Sequence, residues 1–372
     1  MQVLWIYGTS CVGKSATAWE LYAHAELGPA SRIGYVDIDQ LGMCYPASDD
    51  DPDREHLKAG ALHALMGSLA HIPLDLLIIS GVMDPAYLEL YASADLGVDF
   101  IFIRLRLEEG ELARRCMARW QSPVVVQDIL EDARMLEASG LPHPTVDATG
   151  LTVEQVAQAV QELSALWPLA TGHSTGLTPA QPLCPAGEVL VVSGPTPVGK
   201  STVGFQTAGY LVQSGVKAGY LDLAQLGFVR PALPAAVAAQ QRALNLLGVW
   251  RVFHDAGARR LVMSGPFASP RELDACLEVL AGCTITVCRL EADASALRKR
   301  CLARSLPGGP ELAGDTLLGS GPDDHESLLR TAVDESDLWS EWNSGTVIDT
   351  TLQDPGETIG MVLRAANWLP AS

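Results

Sequence analysis

With 372 residues the chain exceeds one ordinary hydrophobic core and suits two domains of conventional size. Its 44 acidic against 25 basic side chains, a net charge of −19, argue against a nucleic-acid partner, because gripping a phosphate backbone needs clustered Lys and Arg. Hydrophobic residues reach 48%, yet no apolar run approaches the roughly 18 residues of a membrane span, so no membrane partner is expected. The eight cysteines form no C-x-x-C pair and several sit in apolar stretches, the pattern of reduced thiols in a cytoplasmic protein.

The first predicted element is a strand. Met1 to Gly8 has no basic region before a short apolar run that stops at a glycine turn, unlike a signal peptide. From there the sequence reads Gly8-Thr9-Ser10-Cys11-Val12-Gly13-Lys14-Ser15, followed by Ala16 and a helical pattern, the context of a Walker A phosphate loop. Glycines let such a loop curl its N–H groups towards phosphate oxygens, and the next helix adds its positive N-terminal end. Lys14 is then expected to reach the β and γ phosphates of ATP, and Ser15 to offer its hydroxyl to magnesium. Cys11 reads either as a reactive thiol near the helix end or, more blandly, as a tolerated small residue.

The second strand ends Asp37-Ile38-Asp39, where period-two spacing projects both carboxylates to one side as the strand leaves the sheet. Asp37 is expected to hold magnesium through water, and Asp39 to accept the proton of an attacking hydroxyl. The alternative is a solvated strand end that caps the next helix. Asp49-Asp50-Asp51-Pro52-Asp53 reads as a solvated loop, with a surface for a cationic substrate as the alternative. Lys58 and its counterpart Arg242 suit either a phosphate or solvent, and His56 and His63 lack matching metal ligands, so no metal beyond magnesium is assigned. The third strand, Asp75 to Ile79, runs into Ser80-Gly81 with no carboxylate where a P-loop motor would place its magnesium-binding acid.

After a fourth strand, Phe100 to Leu105, comes Arg106 and then Arg115 with Arg119, an i,i+4 pair on one helix face. Such a pair reads as a guanidinium clamp on transferring phosphoryl oxygens, or as an exposed basic face. Pro168 to Gly187, with Pro179, Pro182 and Pro185 and no periodic apolar face, reads as a linker. Domains are therefore expected at 1–167 and 188–372, joined by 168–187.

The second domain repeats the first. Gly194-Pro195-Thr196-Pro197-Val198-Gly199-Lys200-Ser201, with Thr202 following, mirrors the first loop, and Asp222-Leu223-Ala224 mirrors the aspartate motif. Ser264 mirrors Ser80, Arg289-Leu290-Glu291 is matched to Arg106-Leu107-Glu108, and Arg300 with Arg304 mirrors Arg115 with Arg119. Matched residues stay between 183 and 186 positions apart, from 106 and 289 at the shortest to 8 and 194 at the longest, as a whole-domain duplication demands. The second copy is expected to bind nucleotide through its loop, Arg300 and Arg304, with Ser201 and Asp222 at magnesium. Pro195 and Pro197 remove loop donors, and Ala224 removes the base. Ser305 to Asp324, with Gly308, Gly309, Gly314, Gly319 and Gly321, reads as a mobile lid.

The two phosphate loops, the Asp-x-Asp motif and the arginine helix together resemble small-metabolite kinases of the shikimate kinase and gluconate kinase type, which are similar to chloramphenicol phosphotransferase. The resemblance implies an α/β fold, two tandem P-loop domains each with a five-stranded parallel sheet of order 2-3-1-4-5. It also implies transfer of the ATP γ-phosphoryl group, with Mg2+, to a small-molecule acceptor, catalysed by Lys14, Asp39, Arg115 and Arg119 of the first copy. A nucleotide-sensing ATPase and a nucleoside or nucleotide kinase are the competing expectations. An internal pseudo-dimer and a homo-oligomer are both left open.

Overall fold

A computed structural model describes residues 1–25, 31–93, 97–165, 183–265, 267, 270–306, 312–315, 317–340 and 345–369. Most of the expected linker, 168–182, and residues 307–311 and 316 of the expected lid lie outside the described residues.

The first copy runs β1 (Gln2–Tyr7), α1 (Lys14–His24), β2 (Ile33–Asp37), α2 (Ile38–Leu41), β3 (Cys44–Tyr45), α3 (Glu55–Leu69), β4 (Leu76–Ser80), α4 (Leu88–Tyr91), β5 (Asp99–Arg106), α5 (Glu109–Trp120), α6 (Pro123–Ala138), β6 (Thr145–Asp147) and α7 (Val153–Ala165). The second runs β7 (Glu188–Ser193), α8 (Lys200–Gln213), β8 (Ala218–Asp222), β9 (Phe228–Arg230), α9 (Ala235–Asp255), β10 (Arg260–Ser264), α10 (Pro270–Val279), β11 (Thr284–Glu291), α11 (Ala294–Ser305), α12 (Pro322–Ser340), β12 (Thr346–Asp349) and α13 (Pro355–Ala365). Every residue of β1 and β4 is buried, because helices cover both faces of a parallel sheet and leave no strand a solvent side.

The chain divides into two compact units, and neither is continuous in sequence. One comprises Met1–Gly42, Lys58–Ala180 and Gly227–Leu233; the other comprises Met43–Leu57, Gln181–Leu226 and Pro234–Ser372. Each copy thus gives a short segment to the unit built mainly from the other.

In the first unit five parallel strands stand in the order β6-β5-β1-β4-β2, and the antiparallel β9 completes the edge. The expected five-stranded sheet is corrected to six. Phe228 of β9 pairs with Tyr35, and its ring meets those of Trp19 at 4.9 Å, Tyr35 at 5.8 Å and Tyr22 at 6.1 Å. This aromatic cluster, together with an Arg230 hydrogen bond to the Ala25 carbonyl, holds a strand of only three residues that could not stand alone.

The second unit has the same plan, β12-β11-β7-β10-β8, with the antiparallel β3 at its edge. Cys44 pairs with Gly219 and Tyr45 with Ala218, while Tyr220 N donates to the Met43 carbonyl at 2.8 Å. Its core gathers Leu190, Val192, Leu211, Val262, Leu290 and Val362. In both units the phosphate loop leaves the C-terminal end of the central strand, the position from which parallel sheets present ligand sites.

Candidate functional site

In the first unit β1 ends at Gly8, whose φ of +149° and close approach to β5 admit no side chain: a Cβ there would lie 2.4 Å from the Leu105 carbonyl oxygen. The loop closes at Gly13, which caps α1 in the left-handed conformation with φ +98°. No side chain caps this helix, so the amides of its first turn remain available to an anion.

Lys14 is buried, and its Nζ donates to the Thr9 carbonyl at 2.7 Å, folding the side chain back over the loop. Burial pulls its pKa below the ordinary lysine value, opposed by the charges of Asp39 and then Asp37. The ammonium therefore stands among the carboxylates that the sequence associates with it.

Asp37 is the hub of this site. One oxygen, Oδ2, accepts the Ser15 hydroxyl at 2.7 Å and the Ser80 hydroxyl at 3.0 Å; Oδ1 accepts the Asp39 backbone N–H at 3.0 Å. Since Ser80 donates to Asp37, the Tyr35 hydroxyl at 3.0 Å donates to Ser80, forming a chain of three side chains. Burial raises the Asp37 carboxyl above the usual carboxylate range, the nearby Asp39 raises it further, and the bond from Ser15 opposes them.

The route by which the two aspartates meet differs from the expected one. The strand does not continue through Asp39: the backbone turns helical at Ile38, and Asp37 caps that turn. Capping and proximity to the loop coexist, because Asp37 uses a different oxygen for each. Asp39 is exposed on α2, where a carboxylate can meet a ligand arriving from solvent.

Arg115 stands beside the loop: its Nη1 lies 4.0 Å from where a Cβ on Gly13 would be, and it pairs with Glu111 at 2.5 Å. Arg119, one turn on, adds its charge to the field at Lys14 and lies over the Trp120 ring at 5.4 Å. Between them Cys116 is buried against Cys11, and burial pushes its thiol up to about 12. Next to the loop opens a cleft of about 310 Å³, lined by Thr9, Arg104, Arg106, Glu109, Arg134 and Glu137 among others. Three ion pairs brace its surroundings, Arg104 with Glu137 at 2.7 Å, Arg134 with Glu109 at 2.5 Å and Arg106 with Asp147 at 3.0 Å.

Sheet register corrects one internal match. Arg104 pairs with Tyr7, the residue before Gly8, as Arg289 pairs with Ser193, the residue before Gly194. Arg104, not Arg106, is therefore the equivalent of Arg289. The reading of Lys58 is also settled on one point: it is buried rather than solvent-facing, and its stem lies against Gly42. Its counterpart Arg242 pairs with Glu272 at 3.3 Å.

The second unit repeats the loop. Gly194 has φ +136° with a Cβ position 2.3 Å from the Leu290 carbonyl oxygen, and Gly199, φ +103°, caps α8. Asp222 accepts from Ser201 and from Ala224 N, while Tyr220 shares a 2.8 Å hydrogen bond with Ser264. Lys200 is buried, its Nζ lies 3.4 Å from the Thr196 hydroxyl, and burial lowers its pKa to about 8.

Its arginines are engaged differently. Arg300 donates to the Val198 carbonyl at 2.9 Å and to Thr350 at 2.6 and 3.0 Å, bracing the loop backbone, and Arg304 binds Asp315 at 3.0 Å. Glu335, unremarked in the sequence, accepts the Thr196 N–H at 3.1 Å. Nothing local in α12 marks that residue, since its partner lies 139 positions away.

A parallel sheet whose first strand passes through a Walker A loop into a helix is the P-loop nucleotide-binding fold, present in both units. No helix among the described residues is long and apolar enough to cross a membrane. No protein-family model and no curated protein matches the chain. Among solved structures it is similar to a gluconokinase from Sinorhizobium meliloti 1021, at 17% identity over 49% of this chain and 92% of that one, with a TM-score of 0.30. It is similar also to the tunicamycin resistance protein of Deinococcus radiodurans, at 18% identity over 44% and 96%, TM-score 0.33. A third is the shikimate kinase of Bacteroides thetaiotaomicron, at 11% identity over 48% and 98%, TM-score 0.31.

Proposed function

We propose that the chain is an ATP-dependent phosphotransferase that moves the γ-phosphoryl group to a hydroxyl of a small-molecule acceptor, mainly at the first phosphate loop. The observation that carries this reading is the gathering of Lys14, Ser15, Asp37 and Asp39 about one loop, a cation, a hydroxyl and two carboxylates with separate duties.

The loop amides and Lys14 bind the phosphates and offset their charge. Ser15 and Asp37 present hard oxygen donors side by side, which fits magnesium, and these two residues would hold it. Bound there, the ion would neutralise phosphate charge. Asp39, exposed and adjacent, accepts the proton of the acceptor hydroxyl as its oxygen forms the bond to the γ-phosphorus, while the bond from that phosphorus to the bridging oxygen breaks and ADP leaves with the electron pair. Arg119, with Arg115 one turn away beside Gly13, supplies positive charge near the loop for the equatorial oxygens of the transferring group.

The second unit keeps the loop, Ser201 and Asp222 but has Ala224 at the base position, so it is assigned nucleotide binding rather than transfer. The direct test incubates the protein with ATP, magnesium and fractionated small-molecule pools. A compound that gains a phosphate, dependent on Lys14, supports the reading; ATP loss with no phosphorylated product favours a nucleotide-sensing ATPase instead.

A further inference from the structure

The second phosphate loop already holds an anion from its own unit. The Thr196 N–H donates to Oε2 of Glu335 on α12 at 3.1 Å. Pro195 and Pro197 carry no N–H, so Thr196 supplies the one backbone donor of that three-residue stretch, and a carboxylate takes it. The same carboxylate is the leading anionic influence on Lys200, ahead of Asp222. At Lys14 the corresponding order is Asp39, then Asp37. Glu335 thus brings back, from a distant helix, the second acid that Ala224 lacks.

Its position has a different consequence from that of Asp39. Asp39 acts on its lysine from the first turn of α2, whereas Glu335 is bonded to the loop itself. In a phosphate loop the amides at the helix start hold the inner phosphates, and the lysine extends to the terminal one. The helix start is intact here: α8 runs 14 residues from Lys200, with Gly199 before it and no side-chain cap. The inner-phosphate end therefore keeps its positive terminus, while a carboxylate occupies the loop amide at Thr196 and adds its charge to the field at Lys200.

We propose that Glu335 is a specificity-determining residue that makes the second loop a nucleoside diphosphate site, rejecting the triphosphate by holding a carboxylate where the terminal phosphate would lie. The inference rests on the second loop being a nucleotide site, as proposed above. A triphosphate must break the Glu335 bond to Thr196 and displace the carboxylate whose charge acts on Lys200; a diphosphate leaves both in place.

The test is calorimetric titration of the full chain carrying Lys14→Ala, so that the second loop is read, with magnesium ADP and magnesium ATP in separate runs. ADP is expected to bind at least about tenfold tighter than ATP, the worth of one charge-assisted hydrogen bond. Adding Glu335→Gln is expected to erase the difference by a gain in ATP affinity, and Glu335→Asp, which keeps the charge, to retain an ADP preference. The parent preference is measured without altering Glu335, so a poorly folded Gln variant does not remove the test. Equal affinities in the parent, an equal change for both nucleotides in Glu335→Gln, or binding of neither by any variant overturns the proposal. An ADP preference that depends on Lys200, in a protein that phosphorylates no acceptor, supports it and sinks the kinase reading alone.

Discussion

Ser15 and Asp37 stand 22 positions apart in the chain and share a hydrogen bond of 2.7 Å, so the start of α1 is tied directly to the end of β2. That tie assigns Asp37 to the phosphate loop and leaves Asp39 facing outward. The two carboxylates should consequently fail in different ways. Asp39→Asn is expected to leave nucleotide affinity nearly intact while lowering turnover about 10² to 10⁴-fold, the usual worth of a positioned proton acceptor. Asp37→Asn is expected to raise the magnesium concentration needed for half-maximal rate. Initial rates against magnesium, with nucleotide affinity measured separately, distinguish the two, and full turnover in Asp39→Asn refutes the assignment of the base.

The lysines provide a comparison within one molecule. Lys14 lies in the field of Asp39 and Asp37, and Asp39 is the proposed base; Lys200 lies in the field of Glu335 and Asp222, with Ala224 at the position matching Asp39. Lys14→Ala is expected to remove most turnover, and Lys200→Ala to leave most of it. Steady-state assays of the two variants side by side check this, and equal damage would place catalysis in the wrong copy.

Burying an ammonium for function opposes stability, and the pH dependence has a definite sign. The Lys200 pKa is lowered by burial from 10.5 to about 8, so between those values the unfolded chain holds a proton that the folded chain has released. Stability from this group is lowest below about pH 8 and rises as pH climbs towards 10.5. Lys200→Met is therefore expected to raise the thermal midpoint at pH 7, with the gain shrinking through that window. Paired melting curves across pH check it; a gain independent of pH contradicts the burial account.

Phe228 closes an aromatic cluster with Trp19, Tyr22 and Tyr35 on the edge strand of the first unit. Phe228→Ala is expected to lower stability by about 2–4 kcal/mol, since it removes a large ring from a packed site that can only partly collapse. The readout is the denaturant midpoint followed by tryptophan fluorescence, where Trp19 reports the cluster. An unchanged midpoint would mean that β9 contributes little to the unit.

Both phosphate loops were legible because their chemistry is local: glycines at the turns, then Lys-Ser at the helix start, lie within eight residues. The match of Arg106 to Arg289 failed for an equally physical reason. Along a strand a slip of two residues leaves every side chain on its original face, so Arg104-Leu105-Arg106 offers two registers that alternation cannot separate. Only pairing with Tyr7 and Ser193 decides between them. The geometry at Asp39 was missed because a strand and a turn both bring it near Asp37, and the Asp37 cap selects the turn. Glu335 and β9 had no local signature at all, since their roles depend on partners far away in the chain.

The strand that finishes each sheet lies in the other copy's sequence, Phe228–Arg230 for the first unit and Cys44–Tyr45 for the second. Producing residues 1–167 and 188–372 as separate chains would leave each product short of one edge strand and carrying an orphaned one, so only co-expression of both fragments would be expected to give native sheets.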